Sequence, residues 1–330
     1  IKRFRNHPSI FDWCMGNEMY KGVELSPELY TIAKELDPTR PVVDSDGLFT
    51  GGFIDGTADR DTLDFYFVMF DIWNTPLDVP NKFHCPAPLK PVISHETGNY
   101  VTFPRLDQIE LFTHNFKPFW LEETRSKMER AGLLDEASRW ADNSEELYYL
   151  CHKLNLEALR KSPNLSGHHW WLLQDYWTTS NGLVDTYRRP KPTIAPERVR
   201  QFNADTVLLQ DGLALTYRSG EHIEAALLVS NYAETRIDQP ALTWRVLAGD
   251  ALVAENSVSA NPVGQGELVE LTRIAVAAPD TAEPVCMRLE AVLMTGDGEV
   301  VNDWTTWVYP AGEPRVDAAY PIYADVGALP

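Results

Sequence analysis

Apolar residues fall in short runs broken by polar turns along the first half of the chain, and in alternation along the second. The run at residues 10–16 predicts a strand. A helix follows it. Ser26 is placed as an N-cap, Pro27 suits the first turn, and Leu29, Ile32, Ala33 and Leu36 keep helical spacing. Asp37-Pro38 ends that helix, because the residue before a proline avoids helical backbone. Further apolar runs at 40–44, 63–70, 91–95 and 164–174 predict four more strands. Residues 71–89, with Pro76, Pro80, Pro86 and Pro88, predict a loop. Residues 105–118 and about 135–161 predict helices, the second long and amphipathic. Strands alternating with helices predict a parallel α/β architecture. From about residue 205 the period changes to two, with strands at 213–217, 222–229, 242–246, 285–293 and 303–309. That spacing predicts an all-β, Ig-like sandwich over 205–330.

Two of the predicted strands end in a glutamate. Glu18 closes the first, after Gly16-Asn17, and Glu96 closes the fourth, before Thr97-Gly98. The C-terminal tips of parallel barrel strands are where such folds carry their chemistry. Two carboxylates facing one cavity suit acid/base and nucleophilic work on a glycosidic bond. An isolated glutamate at a strand end is ordinarily a solvated or ion-paired group; two in matching positions change that balance.

Composition narrows the field. The chain has 330 residues, enough for two domains, and 44% hydrophobic residues, enough for a sizeable core. A formal net charge of −19 argues against nucleic acid, which requires clustered cations, and disfavours an anionic membrane surface. Four cysteines, none in a Cys-x-x-Cys pair, do not describe a metal or redox site. Cys14 and Cys151 are expected to be buried thiols. No apolar run approaches the ~20 residues of a membrane helix. The chain opens with Ile1 and is in a strand by residue 10, so it reads as a piece of a longer protein.

The run Arg5-Asn-His-Pro-Ser-Ile10 leading to Gly16-Asn17-Glu18 resembles glycoside hydrolase family 2, which includes β-galactosidases, β-glucuronidases and β-mannosidases. Asp37-Pro-Thr-Arg-Pro-Val42, Lys90-Pro-Val-Ile-Ser-His-Glu96-Thr-Gly98 and Trp170-Trp171 before Asp175 extend the resemblance over residues 1–190. It implies that residues 1–195 are strands 4 to 8 of a TIM (β/α)8 barrel, followed by the sandwich. It implies Glu18 as general acid/base, Glu96 as nucleophile, Asn17 as a ligand of the sugar 2-hydroxyl and Trp171 as a floor for the sugar ring. The implied activity is that of a secreted or periplasmic retaining exo-β-glycosidase. β-Galactoside is the first expectation, and β-glucuronide and β-mannoside are alternatives. The substrate is an oligosaccharide or glycoside, and no cofactor, metal, nucleic acid or membrane partner is expected.

The departures from the family are local. Phe70 stands where the family usually has a tyrosine that contacts the nucleophile, with Tyr66 nearby; either a different tyrosine such as Tyr100 makes that contact or the site is tuned differently. Asp44 and Asp46 could bind sugar hydroxyls or serve as turn residues. Asp71, Trp73 and Asn74 could shape a subsite, and Asp175 could orient neighbouring groups. Strand alternation points His95 away from Glu96, and His168 and His169 are placed at the far end of their strand. Trp304 and Trp307 are expected in the sandwich core. Two other readings remain at this point: a carbohydrate-binding pseudo-enzyme, and a fragment inert without its missing strands.

Overall fold

A computed structural model describes residues 1–19, 23–47, 61–70, 80–85, 88–176 and 178–312. Among the described residues the first part contains five strands: β1 (Trp13–Cys14), β2 (Val42–Val43), β3 (Tyr66–Val68), β4 (Val92–Thr97) and β5 (Leu165–Trp170). β1 pairs with β2, and β3–β4–β5 form a sheet, all in parallel. Between β2 and β3 the connection is looser. Asp44 N–H donates to Thr62 O at 3.2 Å and Asp64 N–H to Val42 O at 2.9 Å. Asp64 Oδ2 also accepts from Val42 N–H at 2.7 Å, so a side chain substitutes for a ladder bond.

Helix α1 (Ser26–Leu36) joins β1 to β2. Leu25, not Ser26, occupies its cap position, and no side chain caps it. Proline in the first turn offsets that loss, since its missing N–H would have had no helical partner. Just past the helix, Asp37 accepts from Trp13 Nε1 at 2.9 Å, Arg40 at 2.6 Å and Thr39 Oγ1 at 2.5 Å. This carboxylate ties the helix exit to β1, and these hydrogen bonds hold it well below the usual carboxylate range.

The helix expected at 105–118 is not there. A 3-10 turn covers Leu106–Leu111, and α2 (Phe119–Ala131) begins directly after Pro118. Proline has no N–H to donate and fits a helix only in or before its first turn, so Pro118 marks a start where a continuous helix was expected. The long α3 (Ala137–Lys161) matches its expected span and leads into β5.

After the short α4 (Pro196–Arg200) come eight strands: β6 (Thr206–Asp211), β7 (Thr216–Arg218), β8 (His222–Asn231), β9 (Ala241–Ala248), β10 (Ala251–Ser259), β11 (Glu267–Ala277), β12 (Val285–Thr295) and β13 (Gly298–Tyr309). They form one sheet in the order β10-β9-β12-β13-β7 and another in the order β11-β8-β6. Alternate residues point inward. Leu242, Trp244 and Val246 of β9 meet Leu208, Leu227 and Val229 of the other sheet in one apolar cluster. Trp304 is buried there, whereas Trp307, on the opposite face of β13, is 43% exposed.

Helix α3 fastens the two parts together. Glu157, fully buried, accepts from Trp304 Nε1 at 2.8 Å, Asn302 Nδ2 at 3.0 Å and Lys153 Nζ at 2.5 Å. Lys161 Nζ donates to Gln210 O at 2.7 Å. A buried charge is tolerated only when its hydrogen-bonding capacity is met, and this one's is. Among the described residues no helix is long and apolar enough to cross a membrane.

Candidate active site

The tips of β1 and β2 are stitched together beyond the strands themselves. Glu18 N–H donates to Asp46 O and Asp46 N–H to Gly16 O, both at 3.1 Å. Met19 N–H donates to Ser45 Oγ at 2.9 Å. At the tip of β4, Trp171 N–H donates to Thr97 O at 3.0 Å, which sets the end of β5 beside Glu96.

Both glutamates have left-handed backbone, Glu18 with φ +49° and Glu96 with φ +47°. Residues other than glycine seldom adopt that region, and when they do the cost is often borne at a functional site. The two residues converge on one spot. An added Cβ on Gly47 would lie 2.9 Å from Glu18 Cγ and 3.2 Å from His95 Nε2. His95 Nε2 is in turn 3.2 Å from Glu96 Oε1, and its Nδ1 is 3.5 Å from Asp46 Oδ2.

His95 therefore faces Glu96, against the expectation from strand alternation. The left-handed turn at Glu96 and the shifted register between Ser94 and Thr97 break the period of two just there. Burial makes His95 hard to protonate, pushing it down to about 4, with His169 adding to the effect. Burial pushes Glu96 upward, and Glu18 and Asp46 add to it by repulsion. Asp46 is pushed up chiefly by burial, against the help of a hydrogen bond from Cys14.

The other expected residues separate. Asn17 bridges to Asp46 across the strand tips and is exposed. Trp171 lies beside Thr97, and with the Asn181 amide turned to accept, its Nε1 donates to Asn181 at 3.0 Å. Asp44 is fully buried and accepts from Thr62 Oγ1 at 2.6 Å, so it braces β2 against the chain before β3. Tyr100 packs edge-on against His152 at 5.0 Å, and its hydroxyl accepts from Asn155 at 3.4 Å, which holds it on α3. Phe70 packs against Phe83 in the core, and Tyr66 is fully buried. Asp175 pairs with Lys191 at 2.9 Å and accepts from Ser180 Oγ and Gly182 N–H, which fixes the turn after β5. Asp71, Trp73 and Asn74 lie outside the described residues.

Two further expectations are overturned. Cys14 is exposed, because β1 pairs on one side only among the described residues; Cys151 is buried as expected. His169 is next to last in β5, with its ring 5.8 Å from those of His95 and Phe67. It belongs with the carboxylates, and it acts on the titration of both Asp12 and Asp46.

His152 has no sequence signal that would reveal it. It is buried on α3, stacked at 4.5 Å on Trp170, with Gly98 directly above. An added Cβ on Gly98, which has φ +79°, would lie 2.5 Å from His152 Nε2. His152 thus supports the segment that follows Glu96. Burial pushes it down to about 3.

Residues 1–111 match the family described as "Glycosyl hydrolases family 2, TIM barrel domain", and residues 221–310 match a domain of unknown function, DUF8488. Beta-galactosidase 2 of Enterobacter cloacae is 24% identical over 298 residues, covering 85% of this chain and 24% of that protein. A putative beta-glucuronidase of Formosa agariphila is 50% identical over 52 residues, 16% of this chain and 4% of that protein. The chain thus spans about a quarter, or less, of the length of these relatives. Among solved structures, beta-D-mannosidase from Dictyoglomus thermophilum superimposes with a TM-score of 0.60 at 16% identity, over 93% of this chain and 39% of that one. The exo-chitosanase of Amycolatopsis orientalis gives 0.53 at 14% identity, over 92% and 37%. At these identities the likeness is one of fold.

Proposed function

We propose that this chain, whose residues 1–111 match the glycoside hydrolase family 2 barrel domain, is the part of a retaining exo-β-glycosidase of that family that carries both catalytic carboxyls. In this reading β1 to β5 are strands 4 to 8 of an eight-stranded barrel, and the C-terminal strands form an Ig-like sandwich packed against it. Glu18 donates its proton to the departing glycosidic oxygen while a Glu96 oxygen attacks the anomeric carbon. The C–O bond to the leaving group breaks as the glycosyl ester forms. Water then attacks the ester, Glu18 takes its proton, and Glu96 leaves as carboxylate. Asn17 and Trp171, at the tips of β1 and β5, are positioned for the sugar. β-Galactoside is the first candidate substrate, by likeness to the Enterobacter relative, with β-glucuronide and β-mannoside next.

The observation that carries this reading is the pair of left-handed glutamates at parallel strand tips, converging on His95 and Gly47. The test is a panel of aryl β-glycosides presented to the full-length protein and its Glu96→Gln variant. Cleavage of one glycoside, reduced at least about 10³-fold by the substitution, is the expected result. Turnover that survives Glu96→Gln, or a well-folded protein that cleaves none of the panel, would overturn it.

A further inference from the structure

His95 sits between two carboxyls and is 2% exposed. Neither ring nitrogen has a well-aligned hydrogen bond among the described residues, yet each lies within reach of a carboxylate oxygen, Glu96 Oε1 at 3.2 Å and Asp46 Oδ2 at 3.5 Å. Phe67 lies 5.7 Å from the ring and His169 5.8 Å, and a methyl added to Gly47 would stand 3.2 Å from Nε2.

A neutral imidazole offers one N–H and one lone pair. Between two carboxyls, both nitrogens are satisfied only if one carboxyl keeps its proton. Two arrangements achieve that with the same proton count. In the first, Asp46 is protonated and donates to Nδ1, while Nε2–H donates to an ionised Glu96. In the second, Nδ1–H donates to ionised Asp46, and Nε2 accepts from a protonated Glu96. Only the first leaves a Glu96 oxygen able to attack carbon.

Resting on the assignment of Glu96 as nucleophile, we propose that His95 is a positioning residue: it aims the Glu96 carboxylate and, with Asp46 as the holder of the proton, keeps that carboxylate ionised. Burial and Glu18, beyond β1, disfavour charge on Asp46 and Glu96 alike, so the hydrogen bonds of His95 decide which of the two holds the proton. His169 on β5 opposes protonation of His95. Cys14 on β1 favours an ionised Asp46, against burial, and Asp12 interacts with Asp46 and His169.

The experiment compares His95→Ala, His95→Gln, Asp46→Asn and Glu96→Gln in the full-length protein. The probe is the 2,4-dinitrophenyl glycoside of whichever sugar the panel identifies. Its leaving group needs no proton, so the rate of glycosylation reports on Glu96 rather than Glu18. His95→Ala is expected to lower kcat/KM about 30-fold, the effect of one charge-assisted hydrogen bond. Its acidic limb should move. His95→Gln, whose amide N–H can still reach Glu96, should recover most of the rate. Asp46→Asn should move the acidic limb to lower pH, because an amide cannot ionise and leave the proton on Glu96, and its N–H can donate to Nδ1 as protonated Asp46 does. Wild-type kcat/KM and pH profile in His95→Ala, with Glu96→Gln inactive, would refute the inference while leaving the catalytic pair intact. An active Glu96→Gln would instead refute the pair. If His95→Ala shows no cooperative melt, the limb in His95→Gln decides, and if that also fails to fold, the limb in Asp46→Asn decides; an unmoved limb refutes the proposal.

Discussion

Gly47→Ala is the most direct probe of the convergence between the two glutamates. The backbone there has φ +64°, where a side chain costs about 1–2 kcal/mol. The new methyl would stand 2.9 Å from Glu18 Cγ, and 3.2 Å from both His95 Nε2 and Met69 Cε. Glu18 is exposed, so its side chain gives way first; His95 is buried and cannot. Stability should therefore fall by only about 1–2 kcal/mol, the backbone cost. Activity should fall further, since a displacement of about 1 Å in a reacting group costs on the order of 10²-fold. The loss should also be selective. If Glu18 is the proton donor proposed above, a phenyl glycoside needs its proton and should lose about 10²-fold in kcat/KM, whereas a dinitrophenyl glycoside, which does not, should lose less. Thermal melts alongside both assays separate the two effects. Equal losses on both glycosides, or none on either, would refute the placement of Glu18 against Gly47.

Gly98→Ala should behave in the opposite way, because its methyl would meet a buried ring stacked on Trp170 rather than a movable chain. A loss of about 3 kcal/mol in denaturant unfolding is expected, from backbone strain and overpacking together, and a loss below 1 kcal/mol would argue against it. Burial holds His95, His152 and His168 near 4, 3 and 4, below their unfolded value of about 6.5. The folded state thus refuses protons that the unfolded state accepts. Stability should be fully present above about pH 6.5 and decline as pH falls towards 4, with Asp46 and Glu96 contributing in the opposite direction. Melts between pH 7.5 and 5 test this, and His168→Gln should flatten the slope. Glu157→Ala should cost about 3–5 kcal/mol, because it strands Lys153 in the interface with the sandwich, and Glu157→Leu in a Lys153→Met background should cost much less. Urea unfolding of the two variants gives the comparison.

The placement of Glu18 and Glu96 at strand tips was legible because each sits in a run whose order and residue types are specific, within a chain where strands alternate with helices. Their neighbours were not. A period of two puts Asp44 and Asp46 on one face, yet Asp44 turns to Thr62 and Asp46 to His95, since the strand is over by Val43 and alternation no longer governs. The same rule misdirected His95, one residue before the left-handed turn at Glu96. Cys14 looked buried because its strand is apolar, but apolarity does not say whether a neighbouring strand covers it. Apolar spacing through 105–118 suited a helix, and Pro118 was the stronger signal. His152 and His169 matter through contacts with residues far away in sequence, and no local pattern encodes those.

The backbone of the two glutamates makes a claim about strain that can be measured separately from catalysis. In extended geometry each carboxyl would continue the alternation of its strand. The left-handed turn redirects it, and the hydrogen bonds from Glu18 N–H to Asp46 O and from Trp171 N–H to Thr97 O help hold the two tips in place. A side chain in this region costs about 1–2 kcal/mol relative to glycine. Glycine ordinarily loses about 0.5–1 kcal/mol to alanine through the entropy of the unfolded chain. The first quantity exceeds the second. Glu96→Gly should therefore be more stable than Glu96→Ala by about 0.5–1 kcal/mol, the reverse of the usual order, and Glu18→Gly should exceed Glu18→Ala likewise. Both members of each pair lose the carboxyl, so differences in charge and burial largely cancel in the comparison. Denaturant unfolding at one pH gives the sign. An alanine variant more stable than its glycine counterpart at both positions would show that the tips are not strained, and the geometric case for a built catalytic pair would weaken with it.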